Sequence, residues 1–373
     1  MLDTIRLTNF KAFADAEIPL GRLTLLTGLN SAGKSTVLQS LGLLRQSGDA
    51  GLFGDEDEGG FLLNGTMVDL GTGQDVLHED YVPVKGTERG IALALDADGT
   101  EFRWAAEYHA ENDLLPLRSG AGQSGLPLSL FDRGFQYLKA ERLSPAVSYP
   151  RSHEAAIRRG FLGCQGEHAV NFLRHHADDL MVEEPLRHPA VDSAGLLHQV
   201  DAWMREICPG VNLEASAIDG TDLVRLGYQF GTAGPLASNR PHRPTNVGFG
   251  LSYVLPIVIA CLSAGPGSLL LLENPEAHLH PRGQTRMAML MAAAAAAGAQ
   301  LIVETHSDHV LNGLRIAVKN KTLPHTDVRL LYFHRSAGRV EILSPNVGPD
   351  GMLSDWPDGF FDEWENSLDQ LLD

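Results

Sequence analysis

The strongest constraint on this chain is the string Gly28-Leu-Asn30-Ser31-Ala32-Gly33-Lys34-Ser35-Thr36, which sets two glycines, a lysine and a serine at the spacing GxxxxGK[ST]. Before it, residues 22–27 form a short, mostly apolar run rich in strand formers. After it, apolar positions 37, 38, 41 and 44 follow helical spacing. Phosphate chemistry needs these residue types in this order. The glycines let backbone N–H groups turn inward, and the following helix presents its positive N-terminus to the same place. Lys34 offers a compact charge to the outer phosphates, and the Ser35 hydroxyl can complete a Mg²⁺ shell. A glycine-rich turn that matches by chance is the bland alternative, and the strand before and helix after weigh against it. A nucleoside triphosphate is the expected ligand.

A second set of elements begins near residue 245. Residues 251–262 read as a buried helix, 268–272 as a buried strand, 283–297 as a helix and 300–304 as another buried strand. Residues 308–319 are again helical and 328–333 strand-like. Apolar strands alternating with helices predict a mostly parallel sheet covered on both faces. The first of these strands ends in Glu273-Asn274-Pro275-Glu276, a Walker B form whose leading carboxylate would hold Mg²⁺. The second ends in Glu304-Thr305-His306, a histidine placed to sense a γ-phosphate. Upstream, Gly248, Gly250 and Ser252 precede an apolar helix; Pro256 is tolerated only in a first turn, which predicts a start near Ser252.

Composition narrows the classes. The charge balance, 29 − 47 = −18, opposes a broadly basic nucleic-acid binder but leaves a local patch open. Arg133, Lys139, Arg142, Arg151, Arg158 and Arg159 make such a concentration, read either as a solvated face or as a DNA-facing arm. The run Asp55 to Glu58 reads as a solvated loop. Cys164, Cys208 and Cys261 lie far apart without a CxxC pair, which fits a reducing cytoplasm. Early charges at Asp3 and Arg6 oppose a signal peptide. The longest apolar stretches, 251–262 and 287–297, fall short of the roughly 20 residues of a membrane span.

The order of phosphate loop, long insertion, glycine-serine signature, Walker B and switch histidine resembles the ABC-class ATPase heads of the SMC and RecF type. More closely it resembles prokaryotic AAA ATPases related to the overcoming-lysogenization-defect (OLD) family that end in a domain of unknown function. Segments 246–256, 273–281 and 304–311 carry the likeness, and the strings 137–145 and 356–364 look typical of that subgroup. The resemblance implies an α/β ABC-class P-loop ATPase head with a mostly parallel sheet and an inserted mixed β and helical arm. Its expected parts are an N-terminal lobe with the phosphate loop (1–64), the arm (65–235), a C-terminal lobe with signature, Walker B and switch histidine (236–335) and a tail (336–373). Positions 361, 364, 368, 371 and 372 of that tail share one helical face, which predicts a docked amphipathic helix. The family also implies a head-to-tail homodimer in which ATP on residues 28–36 of one subunit is capped by Gly248, Gly250 and Ser252 of the other. Gln74 is the candidate glutamine for Mg²⁺ or water, with Gln39 and Gln46 read as helix-surface residues.

The chain departs from the family at Asn274, where most such heads have a glutamate. An amide orients water but accepts no proton, so Glu276 and Glu304 remain as candidate bases; slow hydrolysis is the alternative. The pairs His278/His280 and His306/His309 lack a third ligand nearby and read as structural rather than metal-binding. The expected function is an ATP-dependent dimeric switch in anti-phage defence or DNA maintenance, working with a separate effector, a nuclease among the candidates. A built-in nuclease is disfavoured because 373 − 306 = 67 residues follow the switch histidine. A transporter subunit is disfavoured by the long insertion and the missing LSGGQ-like string.

Overall fold

The computed structural model describes residues 1–54, 59–81, 90–119, 126, 128–230, 241–336 and 339–372. The acidic run 55–58 lies outside them. Two compact units emerge: one from residues 1–132, 328–346 and 353–373, the other from 133–327 and 347–352.

The first unit holds, in order, β1 (Leu2–Phe10), β2 (Phe13–Pro19), β3 (Leu23–Gly28), α1 (Lys34–Asp49), β4 (Gly60–Leu62), α2 (Gly73–Val76), β5 (Gly90–Ala97), β6 (Thr100–Glu107), β7 (Leu114–Ser119) and α3 (Leu128–Phe131). Six strands form an antiparallel sheet in the order β2-β1-β5-β6-β7-β4. Alternation drives it: Ile5 and Leu7 are buried while Arg6 between them bridges Glu17, Asp96 and Glu101 on three neighbouring strands. Asp98 (φ 49°) and Gly99 (φ 79°) close the β5–β6 hairpin with two left-handed residues, the conformation a tight hairpin turn demands.

The second unit holds β8 (Phe135–Leu138), β9 (Tyr149–Pro150), α4 (Ala169–His176), α5 (Leu196–Ile207), β10 (Val211–Ala217), β11 (Leu223–Phe230), α6 (Phe249–Leu262), β12 (Leu269–Glu273), α7 (Pro281–Ala296), β13 (Gln300–Glu304) and α8 (Asp308–Lys319). β12 pairs in parallel with β8 on one side and β13 on the other. Leu269 to Leu272 are at most 1% exposed, so β12 is apolar on both faces, as a central parallel strand must be. Helices α5, α6 and α7 pack on one another beside it, and β10-β11-β9 forms a small sheet.

The chain then returns to the first unit as β14 (Val328–Ser336), β15 (Arg339–Leu343) and α9 (Glu363–Leu372). β14 runs parallel to β3, and β15 antiparallel to β14. The division at Asp132 differs from the expected borders at 64 and 235, because β4 pairs with β7 and β5 with β1. Residues 90–119 are thereby woven into the N-terminal sheet instead of forming an arm. The tail corrects a further expectation. Leu368, Leu371 and Leu372 of α9 are 37%, 82% and 77% exposed, so this part of the face is not docked; the side chain of Trp364 lies outside the described residues. What docks is the turn before it: Phe360 is 1% exposed and meets the rings of Tyr332 and Trp356.

Candidate active site

The loop between β3 and α1 is shaped by residues that tolerate positive φ. Gly28 sits at φ 124°, Gly33 at 98° and Ser31 at 61°. A Cβ on Gly28 would stand 2.0 Å from the Phe333 carbonyl oxygen, and one on Gly33 2.8 Å from the Phe13 ring. Both positions therefore require glycine. Lys34 is 3% exposed and its Nζ donates to the carbonyls of Gly28 (3.0 Å) and Leu29 (2.7 Å), arching back over the loop. Asn30 and Ser31 are exposed at the tip, while Ala32 and Thr36 are buried beneath. α1 begins at the Gly33 cap with no side-chain acceptor and no acidic first-turn residue, so no acidic side chain of its own first turn competes for its N-terminus. A lysine ammonium, the Ser35 hydroxyl and this helix end fit a polyphosphate with its divalent cation.

The three glutamines fall differently. Gln74 is exposed on α2, which is closed by the Thr72–Asp75 capping box. Gln39 is half-buried and accepts from Lys11 Nζ at 2.7 Å. Gln46 is no surface residue: it is 4% exposed, donates to Leu62 O (2.6 Å) and accepts from the N–H groups of Met67 (3.1 Å) and Val68 (2.9 Å). Helical spacing alone could not show that the 62–68 loop folds back onto it.

The carboxylates of the second unit gather at the ends of β12 and β13, where Glu273 and Glu304 lie in register. Glu273 accepts from Tyr137 OH (2.6 Å) at Oε1 and from Ala140 N–H (2.8 Å) at Oε2. Each oxygen keeps a second lone pair that can face a cation. Asn274 turns the chain at φ 45° and donates its N–H to Glu304 O at 2.8 Å. Asparagine enters this left-handed region more readily than glutamate, a backbone reason for the departure at this position. Glu276 is 8% exposed; its Oε1 accepts the His306 N–H at 2.9 Å, and its Oε2 is buried without a hydrogen-bond partner among the described residues. Burial pushes its carboxyl above the ordinary range, opposed by the His306 N–H and the Arg142 charge. Glu304 is 6% exposed, while the His306 side chain is exposed. Ser307 then caps α8 by accepting from Val310 N–H at 3.2 Å.

α6 starts at Phe249 with Gly248 as its cap, three residues before the expected start. Pro256 consequently lies inside the helix, where it has no N–H for the Ser252 carbonyl; its ring packs where a Cβ on Gly166 would come within 2.4 Å of Cγ. Ser252 is 8% exposed, with Oγ 3.4 Å from Tyr228 OH, whereas Asn246, Gly248 and Phe249 are exposed. The His278 ring packs against Phe249 and Tyr253, each at 4.8 Å, and His280 Nδ1 accepts from Arg282 N–H at 3.3 Å. No group of three or more potential metal ligands among His, Cys, Asp and Glu occurs among the described residues. The basic concentration also divides: Arg133, Arg151 and Arg158 are exposed, but Arg142 is 4% exposed and reaches the carboxylate turn. That role had one signal in the sequence, its position just beyond a short apolar strand.

Residues 1–80 match the family described as AAA ATPase domain, and residues 237–312 match AAA domain, putative AbiEii toxin, Type IV TA system. Residues 323–371 match a protein family of unknown function, DUF3696. The chain is 24% identical over 334 residues to an OLD nuclease from Thermus scotoductus, covering 82% of this chain but only 59% of that relative. Among solved structures, an SMC head bound to the C-terminal winged-helix domain of ScpA aligns with TM-score 0.51 at 13% identity, over 93% of this chain and 98% of that one. An SMC head with an extended coiled coil, bound to the C-terminal domain of ScpA derived from Pyrococcus furiosus, aligns with TM-score 0.50 at 13% identity, over 100% and 99%. With separate AAA matches at the phosphate loop and at the carboxylate turn, both on an SMC-head fold, the chain is similar to the ABC-class AAA ATPases.

Proposed function

We propose that this protein binds ATP with Mg²⁺ on residues 28–36, hydrolyses it, and uses the nucleotide state to join and release two copies of itself. The observation that carries hydrolysis is Glu276: a buried carboxylate with one oxygen pinned to the His306 N–H and the other, among the described residues, without a hydrogen-bond partner. Such a group can take the proton of a water attacking the γ-phosphate, with the Asn274 amide orienting that water and Glu304 as the second candidate base. Lys34 and the N-terminus of α1 offset charge on the phosphates. Ser35 and Glu273, with Gln74, are the residues we assign to Mg²⁺, whose charge would neutralise the phosphate oxygens. We assign the γ-phosphate sensor to His306, whose exposure and backbone bond to Glu276 support that role. In the dimer, the Gly248–Gly250 end of α6, with Ser252 behind it, caps the partner's nucleotide.

The biological setting is an extension of the family likeness. We assign the protein to the cytoplasm; no described helix is long and apolar enough to cross a membrane. We assign it a role in anti-phage defence or DNA maintenance with a separate effector, such as a nuclease; the likeness to an OLD nuclease supports this reading and contact with nucleic acid. Lys34→Ala tests the root of this reading. The purified variant should lose ATP binding by calorimetry and all turnover above background; parent-like affinity and rate would remove the loop from the mechanism. A parent that binds ATP without turnover would reduce the protein to a nucleotide-gated clamp.

A further inference from the structure

Arg142 stands out because nothing in the chemistry of phosphate or water calls for a buried guanidinium at this place. Only 4% exposed, it donates through Nη2 to the Glu273 carbonyl and, at 3.4 Å from both Nη1 and Nη2, to the Asn274 carbonyl. Those two carbonyls belong to the residues where β12 ends and the chain turns through the left-handed Asn274 toward Glu276. Burying a cation without a carboxylate in direct contact is costly, and this one is held instead by backbone dipoles and by the face of Tyr253, whose centroid lies 5.0 Å from Cζ.

Tyr253 is itself fixed at several points. Its hydroxyl donates to Ala140 O at 2.7 Å and accepts the Arg142 N–H at 3.1 Å. Its ring meets His278 at 4.8 Å and Phe249 at 5.2 Å. The segment running from Tyr137 to Arg142 therefore clasps the carboxylate turn from both ends: Tyr137 OH and Ala140 N–H hold the Glu273 side chain, and Arg142 holds the backbone after it.

We propose that Arg142 is a positioning residue for hydrolysis: its two-pronged donation to the Glu273 and Asn274 carbonyls, locked by Tyr253 of α6, holds the turn that presents Glu276. The proposal rests on the reading of Glu276 as the base. Burial draws the guanidinium pKa down to about 10, so Arg142 stays charged at neutral pH and acts as a counter-charge for Glu276 and Glu273. Lysine would keep that charge but lose the planar fork, which separates geometry from charge.

The test compares Arg142→Lys, Tyr253→Phe and the double variant in the full chain, each measured for ATP affinity, kcat, KM and thermal midpoint. Arg142→Lys should bind ATP within about threefold of the parent and turn over on the order of 10²-fold more slowly, the usual cost of a misplaced reacting group. Tyr253→Phe, which keeps the ring and loses the hydroxyl bridge, should lose about tenfold in kcat. Acting through one turn, the two changes should not multiply, so the double variant matches Arg142→Lys alone. A merely structural arginine would lower affinity and midpoint together with rate. Parent-like kcat in Arg142→Lys, or losses that multiply in the double variant, would overturn the proposal. Should Arg142→Lys fail to fold, an unchanged rate in Tyr253→Phe overturns it equally. Glu276→Gln separates the two readings: a parent-like rate there refutes the base, whereas a slow Glu276→Gln with a fast Arg142→Lys refutes only the positioning role. A parent without turnover refutes both.

Discussion

At the scale of single residues, the carboxylate turn trades one side chain for another. A left-handed Asn274 at φ 45° accommodates asparagine, while a larger side chain there would cost about 1–2 kcal/mol, and the acid stands two positions later at Glu276. Glu276→Gln keeps shape and hydrogen bonding but removes the proton acceptor. It should bind ATP and lose roughly 10²- to 10⁴-fold in turnover, with Glu304→Gln as the matched control on the neighbouring strand end. A parent-like rate in the first and a dead enzyme in the second would move the base to β13. Stability gives an independent reading of the same group. Because burial raises the Glu276 pKa, the folded chain holds that proton more tightly than the unfolded chain does. The penalty for ionising it is therefore absent below the unfolded value and grows as pH rises through the folded one. Thermal melts should show the Glu276→Gln midpoint gaining on the parent's from acid to neutral pH; a constant gap would mean the carboxyl is not buried in solution.

At the scale of elements, α6 shows local preference yielding to packing. Gly250 lies in its first turn, where alanine would ordinarily favour a helix by about 1 kcal/mol. Here a Cβ would come 2.5 Å from the His278 carbonyl oxygen, a backbone atom that cannot swing aside. Overpacking of this kind costs about 1–3 kcal/mol, so Gly250→Ala should destabilise the protein despite its propensity. Gly248→Ala is the control: it has φ −57° and nothing within 4 Å of its Cβ, and it should be near neutral. Denaturant midpoints decide between them, and a Gly250→Ala variant as stable as Gly248→Ala would mean that α6 and the 274–280 turn are not in contact. Packing likewise sets where α6 begins. Pro256 pointed to a start near Ser252, but the helix reaches back to Phe249 and carries the proline inside, buried against Gly166.

At the scale of the whole molecule, the proposal is an association controlled by nucleotide. Light scattering should show the mass doubling when ATP and Mg²⁺ are added to Glu276→Gln, which binds without rapid release, and no change for Lys34→Ala. A Glu276→Gln protein that stays monomeric with saturating ATP would rule out the homodimeric switch. Charge adds a quantitative expectation. Each chain carries −18, so two copies repel at long range, and the ATP-bound dimer should form more readily at 0.15 M salt, where the Debye length is about 8 Å, than at 0.01 M, where it is about 30 Å.

The residues from Gly28 to Thr36, the apolar strands β3, β12 and β13, and the carboxylates ending the latter two were legible in the sequence itself. The phosphate-loop conformation and strand burial are written in contiguous residues: glycines where φ must be positive, a lysine at fixed spacing, runs of leucine and valine with an acid at the end. The tertiary structure decided what depends on distant partners. Arg142 reads as one more basic residue until Glu273, 131 positions away, offers it a carbonyl. Gln46 reads as helix surface until residues 62–68 fold over it, and Leu371 reads as part of a buried face but stands 82% exposed. A periodicity reports which side of an element is apolar; which neighbour arrives to satisfy a buried donor or cover a face is set by contacts between stretches far apart in the chain.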